Sequence, residues 1–543
     1  MLLVVQCVAV LGLTPEHAQR LAAALRKAPI RGSYRRGSNR VPNGSPVTTK
    51  PDLSSLDQVL DVSIDDATVL AEPGVTMEQL VAATLPRGLA PKVVPEFRDI
   101  TVGGAINGGA MESGSFAHGM FHDTVCKCEL LFPNGTVATV SRSQQSELLA
   151  AIGGSYGSLA TLTAAMIECV RLPACGVRPP RVALRFEWHD DASAGVAALS
   201  ALARTGLHAP GGGARVDFLD GVALPAVGDG PGGGGGGSGG VLVCAARLLE
   251  EGETARDDEG PGEEVWAVDE AGSEFYYERL LTVRSRLAAA ADPTLEVTMG
   301  LEQYFFRYDR GAFQIGAAAL WLASWRDWLT PTKLLLSAAS ARRPLNLRLL
   351  CDPLFRTGTM YRRLHLAPPE AIASRLVLQD LFVPAARAAE AIALCQGLLT
   401  EPPCAVWLWP VRGTDAPVLF APNGHVRGDE LLINLGVYSR APRDGGGGVE
   451  ATRALERWGL ANGGRKLLYS ANYYEPDELW ANDVAPHMYS RARYEALRER
   501  LGADADAEQP RADLPERVSS MLRGPDELTP LDAAGVAFAE WLL

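Results

Sequence analysis

Six glycines fall within residues 101–119, spaced mostly by small or hydroxyl-bearing side chains and with no proline among them. Such a stretch exposes backbone N–H groups and lets a ligand come close to the main chain. A strand-like run follows at 124–132 and ends in the turn Pro133-Asn134-Gly135. A glycine-lined loop held between two β segments suits the pyrophosphate of a cofactor. The competing reading is a flexible glycine loop with no ligand. The candidate cofactor-binding residues are Thr101, Val102, Gly103, Gly104, Ala105, Ile106, Asn107, Gly108, Gly109, Ala110, Met111, Glu112 and Ser113.

Other residue groups could also do chemistry. Gly153-Gly154-Ser155-Tyr156-Gly157 fits G-x-S-x-G, the nucleophile elbow of hydrolases. That motif needs a strand before the serine and a helix after it, and here the order is reversed. A glycine turn beside the same cofactor is the favoured reading. His118 and His122, four apart with Asp123 adjacent, would hold a metal only on a helix with a third ligand, and His118 could instead tether a flavin. Tyr304-Phe305-Phe306-Arg307-Tyr308-Asp309-Arg310 joins aromatic walls to guanidinium groups able to balance a reduced flavin's negative charge; a buried structural arginine explains it nearly as well. Trp321, Trp325 and Trp328 share one helical face, suiting either a helix packed on its own domain or one dipping into a bilayer. No phosphate-binding G-x-x-x-x-G-K-[ST] occurs, and no G-x-G-x-x-G stands where a dinucleotide fold requires it.

The elements that position these residues can be read in order. Residues 15–27 predict a helix with Thr14 as N-cap and Pro15 in its first turn. Residues 56–71 predict a hairpin turning near Asp65-Asp66. A second helix starts at Thr76 and stops at Pro86. After the glycine stretch come strands at 124–132 and 137–140, a helix at 143–152 and a β run at 159–172. Pro173 closes the first domain. A new α+β domain begins near 174, and the glycine-rich and acidic composition of 209–264 predicts a poorly ordered insertion within it.

At 543 residues, two or three domains are expected. The net charge of −13 argues against a nucleic-acid partner. Residues 1–50 nevertheless hold eight Lys or Arg against the single acid Glu16, which suits an anionic membrane face or an ordinary solvated surface equally. Nine cysteines without C-x-x-C pairs favour reduced thiols, and Cys126 and Cys128 would share one strand face as core packing. Residues 1–13 are apolar apart from Gln6 but too few to span ~30 Å of hydrocarbon.

Several segments, in order, resemble a known family. Glu72-Pro73-Gly74-Val75-Thr76-Met77, Val94-Pro95-Glu96, Thr101-Val102-Gly103-Gly104 through Glu112-Ser113, and Gly119-Met120-Phe121 are similar to the FAD-binding domain of the p-cresol methylhydroxylase (PCMH) and vanillyl-alcohol oxidase type. Within that type the chain resembles the Δ24-sterol reductase group. Matching segments continue at 304–310, 377–384, 407–410, 432–438, Leu468-Tyr469 and 494–502, with Phe306 and Tyr308 where the family carries histidines. The resemblance implies an α+β fold: an N-terminal segment at 1–30, a PCMH-type FAD-binding domain of two α/β subdomains at 31–173, an α+β cap and substrate domain at 174–502, and a tail at 503–543. It implies that NADPH reduces FAD, and that the reduced flavin reduces the side-chain double bond of a sterol. The alternative is another flavin oxidoreductase of this fold, acting on a hydroxy acid, sugar lactone or alcohol. Tyr304 and Tyr308 are the candidate proton donors with Arg307 as electrostatic partner, and Glu112 could orient the flavin or its loop. The expected place is the endoplasmic reticulum membrane facing the cytosol, by peripheral or anchored association, with the cytoplasm as alternative.

Overall fold

The computed structural model describes residues 13–501, apart from short stretches and the longer tracts 32–48, 207–214, 226–238, 254–263, 315–351 and 365–372. The tryptophan-bearing run at 321–328, nearly all of the apolar N-terminus and the tail from 502 therefore lie outside the described residues.

Two antiparallel sheets organise the chain. The first runs in the order Val59–Ser63, Thr68–Ala71, Thr161–Arg171, Val125–Leu131, Val137–Ser141, and Leu89–Pro91 adds to the long strand Thr161–Arg171. The expected hairpin and the strand pair around Asn134-Gly135 are both present. Helix Met77–Thr84 starts at Thr76 with a reciprocal cap, Thr76 Oγ1 accepting from Gln79 N and Gln79 Oε1 from Thr76 N.

The N-terminal helix Pro15–Leu25 is shorter by two residues than the spacing predicts, and Thr14 caps it. Its His17 is buried, and its ring nitrogens meet Glu72 Oε1 at 2.6 Å and Glu129 Oε1 at 3.1 Å. Burial opposes the imidazolium, but the two carboxylates outweigh it and push the His17 pKa up to about 9.

The second sheet orders its strands Thr294–Gly300, Arg181–His189, Gly240–Leu248, Phe218–Leu224, Val406–Arg412, Leu431–Arg440, Leu376–Pro384, Arg465–Lys466. Two of them correct the sequence reading. Phe218–Leu224 and Gly240–Leu248 lie inside the tract expected to be a poorly ordered insertion, yet they are paired inner strands of this sheet. Composition misleads there because short apolar strands stand between glycine tracts that dominate any averaging window.

Period-two alternation sorts the side chains of this sheet. Leu219, Val241, Val377, Val406, Leu408, Ile433 and Leu435 form one apolar cluster, against which Val196 and Leu199 of Ala192–Thr205, Ile392 of Ala388–Leu398 and Leu455 of Gly447–Ala461 pack. The alternate positions, including Phe218, Leu378, Trp407, Trp409 and Tyr438, join a cluster that also takes in Val102, Ile106 and Met111 of the first domain. Asp220 and Asp380 have that same parity, so the alternation puts two carboxylates on the face turned toward the glycine stretch. Among the described residues no helix is long and apolar enough to cross a membrane.

Candidate active site

The stretch at 101–113 is not an open loop. Val102–Gly108 is a short helix capped by Thr101, whose Oγ1 accepts from Gly104 N at 3.1 Å. The apolar residues decide this: Val102, Ala105 and Ile106, spaced i, i+3, i+4, all go into the core. The helix ends at Gly109, where φ is +76°. The amides expected to wrap a pyrophosphate are already committed, Val102 N to Val75 O, Gly103 N to Pro73 O and Ala105 N to Thr101 O. What remains open is the opposite face, built from Gly104, Asn107 and Gly108, half-buried or exposed. A Cβ on Gly108 would meet nothing within 4 Å, and one on Gly104 only Thr101 Oγ1. This helix face has almost no side chains, so a flat or extended ligand can lie against its backbone.

A second glycine turn completes that surface. Helix Ser146–Ile152 precedes it and strand Thr161–Arg171 follows it, the order that argues against a hydrolase elbow. The turn is fastened to the glycine helix by Gly154 N to Ile106 O at 3.1 Å, Tyr156 N to Asn107 O at 2.9 Å and Tyr156 Oη to Gly108 O at 3.2 Å. Among the described residues, buried Ser155 Oγ and both ring nitrogens of buried His122 have no hydrogen-bond partner, Asp123 Oδ1 standing 3.7 Å from His122 Nε2. Unpartnered buried donors beside a bare backbone surface fit the polar groups of a nucleotide cofactor. His118 is half-buried, and burial followed by the Lys92 charge pushes its pKa down to about 4.

Beyond the helix, Ala110 and Met111 lead to Glu112 and Ser113, which tie the two domains together. Ser113 O accepts from Leu219 N at 2.9 Å, joining this loop to an inner strand of the second sheet. The Glu112 carboxylate accepts from Ser113 N and Oγ, from Arg307 Nη2 at 2.8 Å and from Trp409 Nε1 at 3.3 Å. Arg307 Nη2 also donates to Asp220 Oδ2 at 2.5 Å, and Tyr308 Oη donates to that same oxygen at 2.7 Å. The guanidinium lies 4.1 Å from the ring centre of Tyr304 and 4.5 Å from that of Tyr308. Burial opposes its charge, but Glu112, the two phenols and Asp220 hold the Arg307 pKa well above the usual value. Burial lifts the Glu112 pKa; Arg307 opposes that lift and Asp220 adds to it.

Sequence reasoning selected Glu112, Tyr304, Arg307 and Tyr308 for this neighbourhood, and the structure brings them together. It did not select Asp220, which the apparent insertion conceals; the alternation Phe218, Asp220, Val222 was the available signal. Tyr304 and Tyr308 are buried in aromatic packing, at 0% and 2% exposure; Tyr308 Oη is spent on Asp220, while Tyr304 Oη has no hydrogen-bond partner among the described residues.

Two further groups face the same interior. Asp380 accepts from Tyr469 Oη at 2.5 Å and from Tyr438 Oη at 3.3 Å; burial raises its pKa to about 6 while these hydrogen bonds oppose the rise. Glu96 precedes Phe97, whose ring centre is 5.5 Å from that of Phe313 and 6.2 Å from that of Tyr361, and Arg98 N donates to Asp309 Oδ1 at 3.2 Å. The 96–98 segment of the first domain is thus held against the second.

Residues 12–141 match the family model of an FAD binding domain. A Δ24-sterol reductase homolog of Caenorhabditis elegans is 38% identical over 131 residues, 22% of this chain and 25% of that protein. The Δ24-sterol reductase of Arabidopsis thaliana is 24% identical over 497 residues, covering 83% of this chain and 74% of the plant protein. The human Δ24-sterol reductase is 26% identical over 463 residues, 84% and 75% of the two chains. With a bare glycine helix and a second sheet closing over it, the chain is an FAD-binding flavoprotein of the PCMH type. Over most of its length it is similar to Δ24-sterol reductases of plant and mammalian origin.

Proposed function

We propose that this flavoprotein reduces the side-chain Δ24 double bond of a sterol, with NADPH as the source of hydride. The likeness to the plant and human Δ24-sterol reductases over more than four fifths of the chain carries this reading. Bound FAD would supply the redox chemistry, accepting hydride from a nicotinamide and giving it to an alkene carbon.

The chain's own residues have distinct tasks in this reading. The open face of Gly104, Asn107 and Gly108, with Ser155 and the turn at 153–158, would hold the FAD. Glu112, Arg307 and Asp220 fix the inner wall of the site electrostatically, since no member can move without stranding a buried charge. Aromatic residues such as Trp407, Phe313 and Tyr438 keep water away from that wall, as an unactivated alkene requires. Because a sterol partitions into bilayers, the enzyme would work at the endoplasmic reticulum membrane on its cytosolic side, and the basic excess in residues 1–50 supports contact with an anionic surface.

The test is direct. Purified protein carries FAD absorbance, NADPH bleaches it under anaerobic conditions, and desmosterol restores it with formation of the saturated product. Bleaching by NADPH without any reoxidation by desmosterol or cycloartenol would overturn the sterol assignment and leave another flavin-dependent reaction.

A further inference from the structure

We infer that Glu96 is the acid that protonates the alkene, an inference that rests on the reductase reading above.

Reducing an isolated double bond takes one hydride and one proton. Hydride arrives from reduced flavin on the carbon better able to carry positive charge. The π electron pair forms the second C–H bond with the carboxyl proton of Glu96 on the neighbouring carbon. Glu96 is left as a carboxylate and recovers its proton from water before the next turnover. The alkene is reduced by two electrons, and the nicotinamide that reduced the flavin is oxidised by two.

Such an acid must satisfy three conditions: it lies in a protein-walled interior, it keeps an open surface there, and it carries its proton at neutral pH. Four carboxyl groups come together where the domains meet: Glu96, Glu112, Asp220 and Asp380. Glu112, Asp220 and Asp380 are 1%, 2% and 3% exposed, and each is engaged by an arginine or by phenols. Glu96 alone of the four is not sealed. It is half-buried, so its side chain keeps surface that a ligand can reach. No other side chain among the described residues hydrogen-bonds its carboxyl. Its neighbours place it at the junction, because Phe97 packs on Phe313 and Tyr361 of the second domain.

The electrostatic surroundings keep the proton on. Burial raises the Glu96 pKa to about 8; its own backbone N–H opposes, Glu112 and Asp380 add to the rise, and Arg307 opposes it. Tyr361 and Tyr438 also face the group, and their own phenols are pushed up by burial. The sign follows: the acid form predominates below about pH 8 and is lost as pH rises through it. The tyrosines of 304–310 fail the second condition, because neither reaches an open surface.

The test compares wild type with Glu96→Gln and Glu96→Asp as purified holoproteins of equal FAD content and equal melting temperature. NADPH bleaches the flavin at the same rate in all three. Reoxidation by desmosterol slows about 10²–10⁴-fold in Glu96→Gln, the usual worth of a positioned acid, and is partly kept in Glu96→Asp. In wild type that step declines as pH rises through about 8, and Glu96→Gln has no such dependence. A readout that needs no turnover is the infrared difference spectrum across that pH: wild type loses a protonated-carboxyl band that Glu96→Gln never shows. Reoxidation of Glu96→Gln at the wild-type rate, or an unchanged infrared difference, overturns the inference. If wild type itself fails to react with sterol, the reductase reading falls, and the infrared comparison still decides whether Glu96 holds its proton.

Discussion

Arg307 has exacting surroundings. Its guanidinium is buried between two carboxylates from separate stretches of chain, and it lies over the rings of Tyr304 and Tyr308. Removing the charge strands Glu112 and Asp220 beside each other in a dry interior. Arg307→Met should cost about 3–5 kcal/mol of stability by chemical denaturation of the apoprotein, the range for breaking one partner of a buried pair. Asp220→Asn in the same background should recover part of that loss, because it removes one stranded charge; no recovery would mean the guanidinium acts mainly through packing. The sequence made Arg307 legible because aromatic and basic residues rarely crowd so closely. It hid Asp220, whose neighbourhood is dominated by glycine, and it did not single out Glu96 for any role beyond family likeness. A carboxyl's burial depends on what folds over it, and no local pattern records that.

At the scale of elements, two glycines of the cofactor surface make opposite forecasts. Gly108 is helical, and a Cβ there meets no atom of the protein. Gly108→Ala should therefore stabilise the apoprotein by about 0.5–1 kcal/mol. It should also weaken FAD binding by roughly tenfold or more, about 1.4 kcal/mol, if the cofactor lies on that face. Thermal melting and flavin titration on the same sample separate the two effects, and unchanged affinity would move the cofactor elsewhere. Gly153 is the contrast, since a Cβ there would fall 2.3 Å from His122 Cδ2. Gly153→Ala should lose about 1–3 kcal/mol even without flavin.

The N-terminal helix makes a third forecast. His17 has its pKa raised to about 9 by Glu129 and Glu72, so its stabilising contribution is complete below the ordinary value of 6.5 and fades as pH climbs through about 9. Hydrogen exchange of Pro15–Leu25 should accelerate across that window, and His17→Ala should show the fast exchange already at neutral pH. Most elements of the first domain were legible: the hairpin, the capped helix at Thr76 and the strand pair all announce themselves through turn residues and alternation. The glycine stretch reads as a loop, but three buried apolar residues at helical spacing outweigh the low propensity of the glycines between them.

On the scale of the whole molecule, one apolar cluster runs from Val69 in the first sheet to Leu501, through Trp407 and Tyr438 of the second. The two domains expected from the sequence share this cluster. Far-UV circular dichroism and flavin release should report one coincident thermal transition, and a fragment ending at residue 173 should bind no FAD. Two separated transitions would show that the shared core contributes less than its extent implies.

The meeting of Glu112, Asp220 and Arg307 also sets an order in time. During synthesis both carboxylates leave the ribosome well before their arginine, and Leu376–Pro384 waits for Leu431–Arg440 and Arg465–Lys466 before either of its edges is paired. A growing chain can shape the first sheet early, but the charge balance at its heart arrives only in the second half of translation. Flavin loading is thereby deferred until the polypeptide is nearly finished, and a truncated product should meet the cell's quality control without its cofactor.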